Sequence, residues 1–243
     1  MSGRAEWLQR RRELAWEHGR QLRNRLLSEY SKTYTISRVP PPAKIIDELL
    51  TDFLGAELRY DPLPSKVFAQ TEWMSSSGRP RVTVNSVTSD IEGVRDADGV
   101  QNVAKWHETM HVVDDLHIVR MDLQVPLRGF APPKIVCLRS PGVAPAPDVR
   151  SREFLAEEAG RAAAVSHEAL ADSDAFRELC ALAARSQGAI TQAWPLLYRS
   201  AADIGVNITA LTRQLSLEGR ISLQGSGGRE VHVQPALIRL VEV

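Results

Sequence analysis

The chain has 243 residues, of which 43% are apolar and 25% charged, the proportions of an ordinary water-soluble protein with room for one large domain or two small ones. Thirty basic residues balance thirty acidic ones, which argues against polyanion binding by the chain as a whole and leaves only local patches. Cys137 and Cys180 can make neither a disulfide framework nor a cysteine zinc site, and no apolar run reaches the roughly 18 residues of a membrane span, so a reducing cytoplasm is the expected home.

The arginine-rich start lacks the apolar core of a signal peptide. Residues 5–30 are expected to be helical, because Leu8, Ala15, Leu22 and Leu26 are spaced to share one face. Arg10, Arg11, Arg12, Arg20, Arg23 and Arg25 crowd the remaining surface, as a solvated face or as a contact for a partner or nucleic acid. Pro40, Pro41 and Pro42 end this basic arm, 1–42, since proline cannot donate to a helix ladder. A helix over 43–54 follows, with Ile45, Ile46, Leu49, Leu50 and Phe53 as its apolar set and Gly55 as its C-cap. Glu57–Tyr60, Lys66–Gln70 and Arg81–Asn85 are short runs rich in β-branched or aromatic residues. Pro62, Pro64 and Ser75-Ser76-Ser77-Gly78 separate them, so three strands joined by turns are expected. A polar stretch over 88–99 then leads into a further helix.

That helix carries His107-Glu108-Thr109-Met110-His111, with Val100, Val103, Ala104, Met110 and Val113 as its apolar residues and Asp96 or Asp98 as its cap. Side chains at i and i+4 share a helix face, so both imidazoles can reach one metal ion. The intervening glutamate is placed to take a proton from water at that metal, and zinc lowers the pKa of such a water to about 7. A catalytic zinc site has three protein ligands and one open position. For the third ligand His117 competes with a carboxylate from a later helix, Glu153, Glu157 or Glu158. His117 gives the metzincin spacing, which requires a sharp turn at Asp114 and a Met-turn where only Met121 follows. Val112, Val113, Leu116, Ile118 and Val119 form an apolar-rich run without glycine or proline, which favours an unbroken helix and Glu153. Glu157, one turn beyond Glu153, is a candidate to orient a ligand histidine.

Ile135–Leu138 is one more candidate strand, 139–152 a proline-rich loop, and 153–185 a run of alanine-rich helices. Residues 191–243 read as a separate small module. Two helices meet at a tight turn at Gly205, with Asn207 capping the second. Ile221-Ser222-Leu223 and Val231-His232-Val233 flank Gly225-Ser226-Gly227-Gly228 as a hairpin, giving a winged helix in outline. Asn207, Thr209, Arg213 and Gln214 are the candidate DNA contacts. Arg213, Arg220, Arg229 and Arg239 are offset by Asp203, Glu218, Glu230 and Glu242, which favours docking a protein partner over DNA.

Taken together, three features resemble the ImmA/IrrE family of intracellular metallo-endopeptidases. An Ile45-Ile46-Asp47-Glu48-Leu49-Leu50 helix precedes short strands ending in Arg81-Val82-Thr83-Val84-Asn85 and then the histidine helix. Glu153-Phe154-Leu155-Ala156-Glu157-Glu158-Ala159-Gly160 is similar to the family's Glu-x-x-Ala-Asn-x-x-Ala helix. A helix-turn-helix segment follows the core, as in some members, so the likeness runs over about residues 43–220. The resemblance implies that His107, His111 and Glu153 ligate Zn2+, with Glu108 as the general base. It also implies an intracellular protein substrate, a helix-turn-helix transcriptional repressor cut in response to stress or a mobile element. The expected fold is α+β: a zincin-like protease core with a small sheet at 43–190, then the winged-helix-like module at 191–243. The alternative is a DNA-binding transcriptional regulator that retains the protease fold without its activity.

Overall fold

The computed structural model describes residues 3–74, 78–122, 147–185, 189–190, 193–224 and 230–233. The expected strand at Ile135–Leu138, the loop over 139–146 and the glycine-rich hairpin tip lie outside them. The architecture is mixed α+β, mostly helical, with two small sheets.

Helix α1 (Gly3–Tyr34) is longer than expected and is not a free arm. Its buried residues Ala15, Trp16, Arg23 and Leu26 lie on the side that packs along α4 (Pro147–Ala164). The two backbones meet closely: a Cβ on Gly19 would stand 2.1 Å from the Ala159 carbonyl oxygen, so only glycine fits. The arginines expected on a solvated face are divided. Arg12 pairs with Glu158 at 3.4 Å, Arg20 with Glu218 at 2.6 Å and Arg23 with Glu168 at 3.2 Å. Half of that basic set therefore holds α1 to the body of the protein.

After the prolines, the helix keeps its expected ends but not its regularity. Pro42–Ile45 is a 3-10 turn, α2 is Ile46–Glu48, and Leu49–Phe53 widens into a π turn. Gly55 stops it at φ +66°, a conformation that a Cβ disfavours. Strands β1 (Glu57–Asp61), β2 (Ala69–Trp73) and β3 (Pro80–Asn85) form a sheet in the order β1-β3-β2. β1 runs parallel to β3 and β2 antiparallel to it. β2 is thus shifted from the expected Lys66–Gln70. Buried Asn85 explains the shift, because its amide accepts from Leu63 N–H at 3.2 Å and donates to the Val67 carbonyl at 2.8 Å, holding that stretch as a loop.

Helix α3 (Ala97–Asp122) packs on β2 and β3 over Val82 and Val84, and α4 lies along its other flank. On the same helix, buried Lys105 is bonded to Asp47 and lies 3.3 Å from the Tyr60 hydroxyl, tying α3 to α2 and β1. Helix α4 begins at Pro147, so residues 147–152, expected in a loop, are helical. Proline is well suited there, since its missing N–H has no helical acceptor in the first turn.

Beyond α4 come α5 (His167–Asp172), α6 (Asp174–Arg185), β4 (Ala189–Ile190), α7 (Ala193–Ile204), α8 (Ile208–Leu217), β5 (Ile221–Gln224) and β6 (Glu230–Val233). Gly205 makes the α7–α8 turn at φ +77°, and the Asn207 side chain caps α8 by accepting from Ala210 N–H at 2.8 Å. The second sheet has the order β4-β6-β5, all antiparallel, and so takes in residues before the expected boundary at 191. One contiguous buried cluster includes Ala15, Trp106, Leu211 and Val231, so α1, α3, α8 and β6 share a core.

Glu218, just after α8, joins three parts of this arrangement. Its carboxylate meets Arg20 of α1 at 2.6 Å, His167 of α5 at 2.9 Å and Arg220 at 2.8 Å. Burial pushes its pKa up, but His167, Gln214 and Arg220 overcome this and hold it at about 2, against an ordinary 4.5. A depressed folded pKa adds stability above the ordinary value and loses it as pH falls towards the folded one. Glu218→Gln is therefore expected to cost about 3 kcal/mol at pH 7 and to weaken the loss of stability between about pH 5 and pH 2. Denaturant titration across that range checks it; a variant with wild-type stability at pH 7 contradicts it.

Candidate metal centre

At residues 105–111 helix α3 is enclosed, and each side meets a different neighbour. Trp106 and Met110 enter the core, and the Trp106 indole donates to the Pro42 carbonyl at 3.3 Å. Thr109 is also buried and bonds back to the Lys105 carbonyl at 2.8 Å. Glu108, 2% exposed, turns towards β2, where the Thr71 hydroxyl donates to its Oε2 at 2.7 Å. His107 and His111 meet α4.

There the Glu153 carboxylate spans both rings. Its Oε2 lies 3.3 Å from His107 Nε2 and its Oε1 3.4 Å from His111 Nε2, while the two Nε2 atoms are 3.1 Å apart. Three Lewis bases thus converge from two helices. Around a tetrahedral ion with bonds of about 2.0–2.1 Å, neighbouring ligand atoms stand about 3.3–3.4 Å apart. The spacing fits, and two imidazoles with one carboxylate form a donor set suited to a divalent cation. His107, His111 and Glu153 can hold a metal ion. His111 is buried while His107 and Glu153 are partly exposed, so the group reaches solvent on one side. Burial raises the Glu153 carboxyl, but hydrogen bonds and charge from the two histidines hold it below the usual carboxylate range.

No family model, curated protein or solved structure matches the chain.

The rival ligands fall in other places. Helix α3 runs through residue 117 without a break at Asp114, so the turn that the metzincin spacing requires is not formed. Position 117 then lies about 240° around the axis from position 111, at 100° per residue. Glu158 is fully buried and accepts from the Trp16 indole at 3.0 Å and from Arg161. Glu157 Oε1 lies 2.9 Å from Arg213 Nη1 and 3.7 Å from Arg161 Nη1. The C-terminal residues proposed to touch DNA are largely engaged within the chain. Gln214 is buried between Arg161 at 3.1 Å and Glu218 at 2.7 Å, Arg213 pairs with Glu157, and Asn207 is the cap of α8.

Two residues that position the site were not singled out in the sequence. Thr71 lies one residue beyond the expected strand Lys66–Gln70. Gly160 had a signal: glycine costs about 1 kcal/mol inside a helix, so one amid alanines implies a close approach. A Cβ there would stand 2.8 Å from both the N and Cα of His107. Gly160→Val is expected to push α4 off α3 and to weaken metal binding about 10- to 100-fold, as loss of a supporting contact does. Chelator competition measures it. Wild-type affinity in a folded Gly160→Val variant contradicts a role for this approach.

Proposed function

We propose that the protein is a zinc-dependent endopeptidase in which His107, His111 and Glu153 hold the zinc and Glu108 is the general base. The observation that carries this reading is the convergence of the two imidazoles and the Glu153 carboxylate beside a glutamate that is not among the converging groups. Held by His107, His111 and Glu153, a zinc ion would supply Lewis acidity to activate water near neutral pH and to polarise the scissile carbonyl. Glu108 takes the proton of the attacking water and passes it to the leaving amine. Thr71 fixes the orientation of that carboxylate through Oε2. The enclosure of Glu108 keeps bulk water from competing for its proton.

The substrate is read as an extended stretch of protein. Among the described residues β2 pairs with β3 alone, so it is an edge strand, and it carries the Thr71 that touches Glu108. A substrate strand added to that edge by main-chain hydrogen bonds would lie alongside the strand that contacts Glu108. We read the order α6-β4-α7-α8-β5-β6 as a winged-helix-like module, in keeping with the family resemblance, and it is that resemblance alone that suggests a helix-turn-helix repressor as substrate. Burial of Gln214 and pairing of Arg213 weigh against the DNA-binding alternative. No helix among the described residues is long and apolar enough to cross a membrane. The test is cleavage of unfolded polypeptides by the zinc-loaded full chain, with Glu108→Gln as its control. A zinc-loaded protein that cleaves no polypeptide, the repressor class included, overturns the reading.

A further inference from the structure

The geometry points to Arg213 as a positioning residue that sequesters Glu157 and so keeps the fourth metal position open. This rests on reading His107, His111 and Glu153 as a metal centre. On α4, residues 153, 157 and 160 follow the i, i+4, i+7 spacing of one helix face. Both ends of that row touch α3: Glu153 spans the two histidines, and Gly160 abuts the His107 backbone. Glu157 therefore stands on the face turned towards the metal centre, one turn from its carboxylate ligand. Side chains at i and i+4 start only about 5–6 Å apart, so a second carboxylate lies within reach of the same cation.

Such a ligand changes what the site can do. Three protein ligands leave a position for water and substrate, whereas a fourth closes the site in the manner of a structural zinc. Arg213 opposes this. Its Nη1 lies 2.9 Å from Glu157 Oε1, and Arg161 is farther from the same oxygen at 3.7 Å. Arg161 is committed elsewhere, to Glu158 and Gln214. Arg213 belongs to α8, so the C-terminal unit takes part in setting the state of a centre built on α3 and α4.

Cobalt(II) titration of the full chain tests this, with the visible ligand-field spectrum and the affinity for acetohydroxamate, a ligand for the open position, as readouts. Arg213→Ala is expected to shift the spectrum and to weaken acetohydroxamate binding by about 10- to 100-fold, the range of a lost supporting contact. Arg213→Ala combined with Glu157→Gln is expected to restore both. Arg213→Gln, closer in volume, repeats the first measurement should the alanine variant fold poorly. A wild-type spectrum and acetohydroxamate affinity in the folded single variants overturn the proposal, as does a shift that persists in the double variant. A wild-type chain that takes up no cobalt instead overturns the metal centre itself.

Discussion

Elemental analysis of His107→Ala and His111→Ala is expected to find no bound zinc, and Glu153→Ala to lose most of it, while His117→Ala keeps about one zinc per chain. The size of the effect follows from the ligand count. If zinc binding is worth about 10–16 kcal/mol, one ligand of three accounts for about 3–5 kcal/mol, or on the order of a thousandfold in affinity. The Nε2 atoms of His107 and His111 lie 3.1 Å apart, and Glu153 carboxylate oxygens lie 3.3 and 3.4 Å from them, so each group is one corner of the same site. Position 117 is on the continuing α3 helix, about 240° around the axis from His111. A large loss in His117→Ala with none in Glu153→Ala would reverse the assignment. Zinc absent from the metal-replete wild type at neutral pH would remove it altogether.

Glu108→Gln is expected to keep fold and zinc but to lose cleavage by about 100-fold or more, the usual contribution of a general base. The substitution is close to isosteric, and the glutamine carbonyl still accepts from the Thr71 hydroxyl, so packing between α3 and β2 survives. What is lost is the ability to accept a proton. Glu108 has no counterpart in the converging triad, so metal affinity serves as an internal control. Chelator competition on the variant should match the wild type while turnover falls. Equal turnover would show that another group takes the proton.

Local chemistry made much of this protein legible from its residue order. The i, i+4 histidines with glutamate between them lie on a helix because helical spacing is a property of the segment itself. The stops at Gly55 and Gly205, both at positive φ, and the Asn207 cap follow from the same short-range rules. The unbroken apolar run after His111 and the family resemblance favour Glu153 over His117, but its place between the two histidines is set by how α4 lies on α3. That depends on Gly160 against His107 and Gly19 against Ala159, contacts between residues far apart in the chain. The arginines of α1 show the same division. A row of charges on a helix looks solvated until long-range packing supplies Glu158, Glu168 and Glu218 as partners. Likewise Arg213 and Gln214 have the look of a recognition helix, and the docking of α8 against α4 buries Gln214 and pairs the still exposed Arg213 with Glu157. Periodicity, caps and turns act over a few residues and can be read along the chain. Which faces meet is set by burial of area and pairing of charge across the whole fold, and no local pattern encodes it.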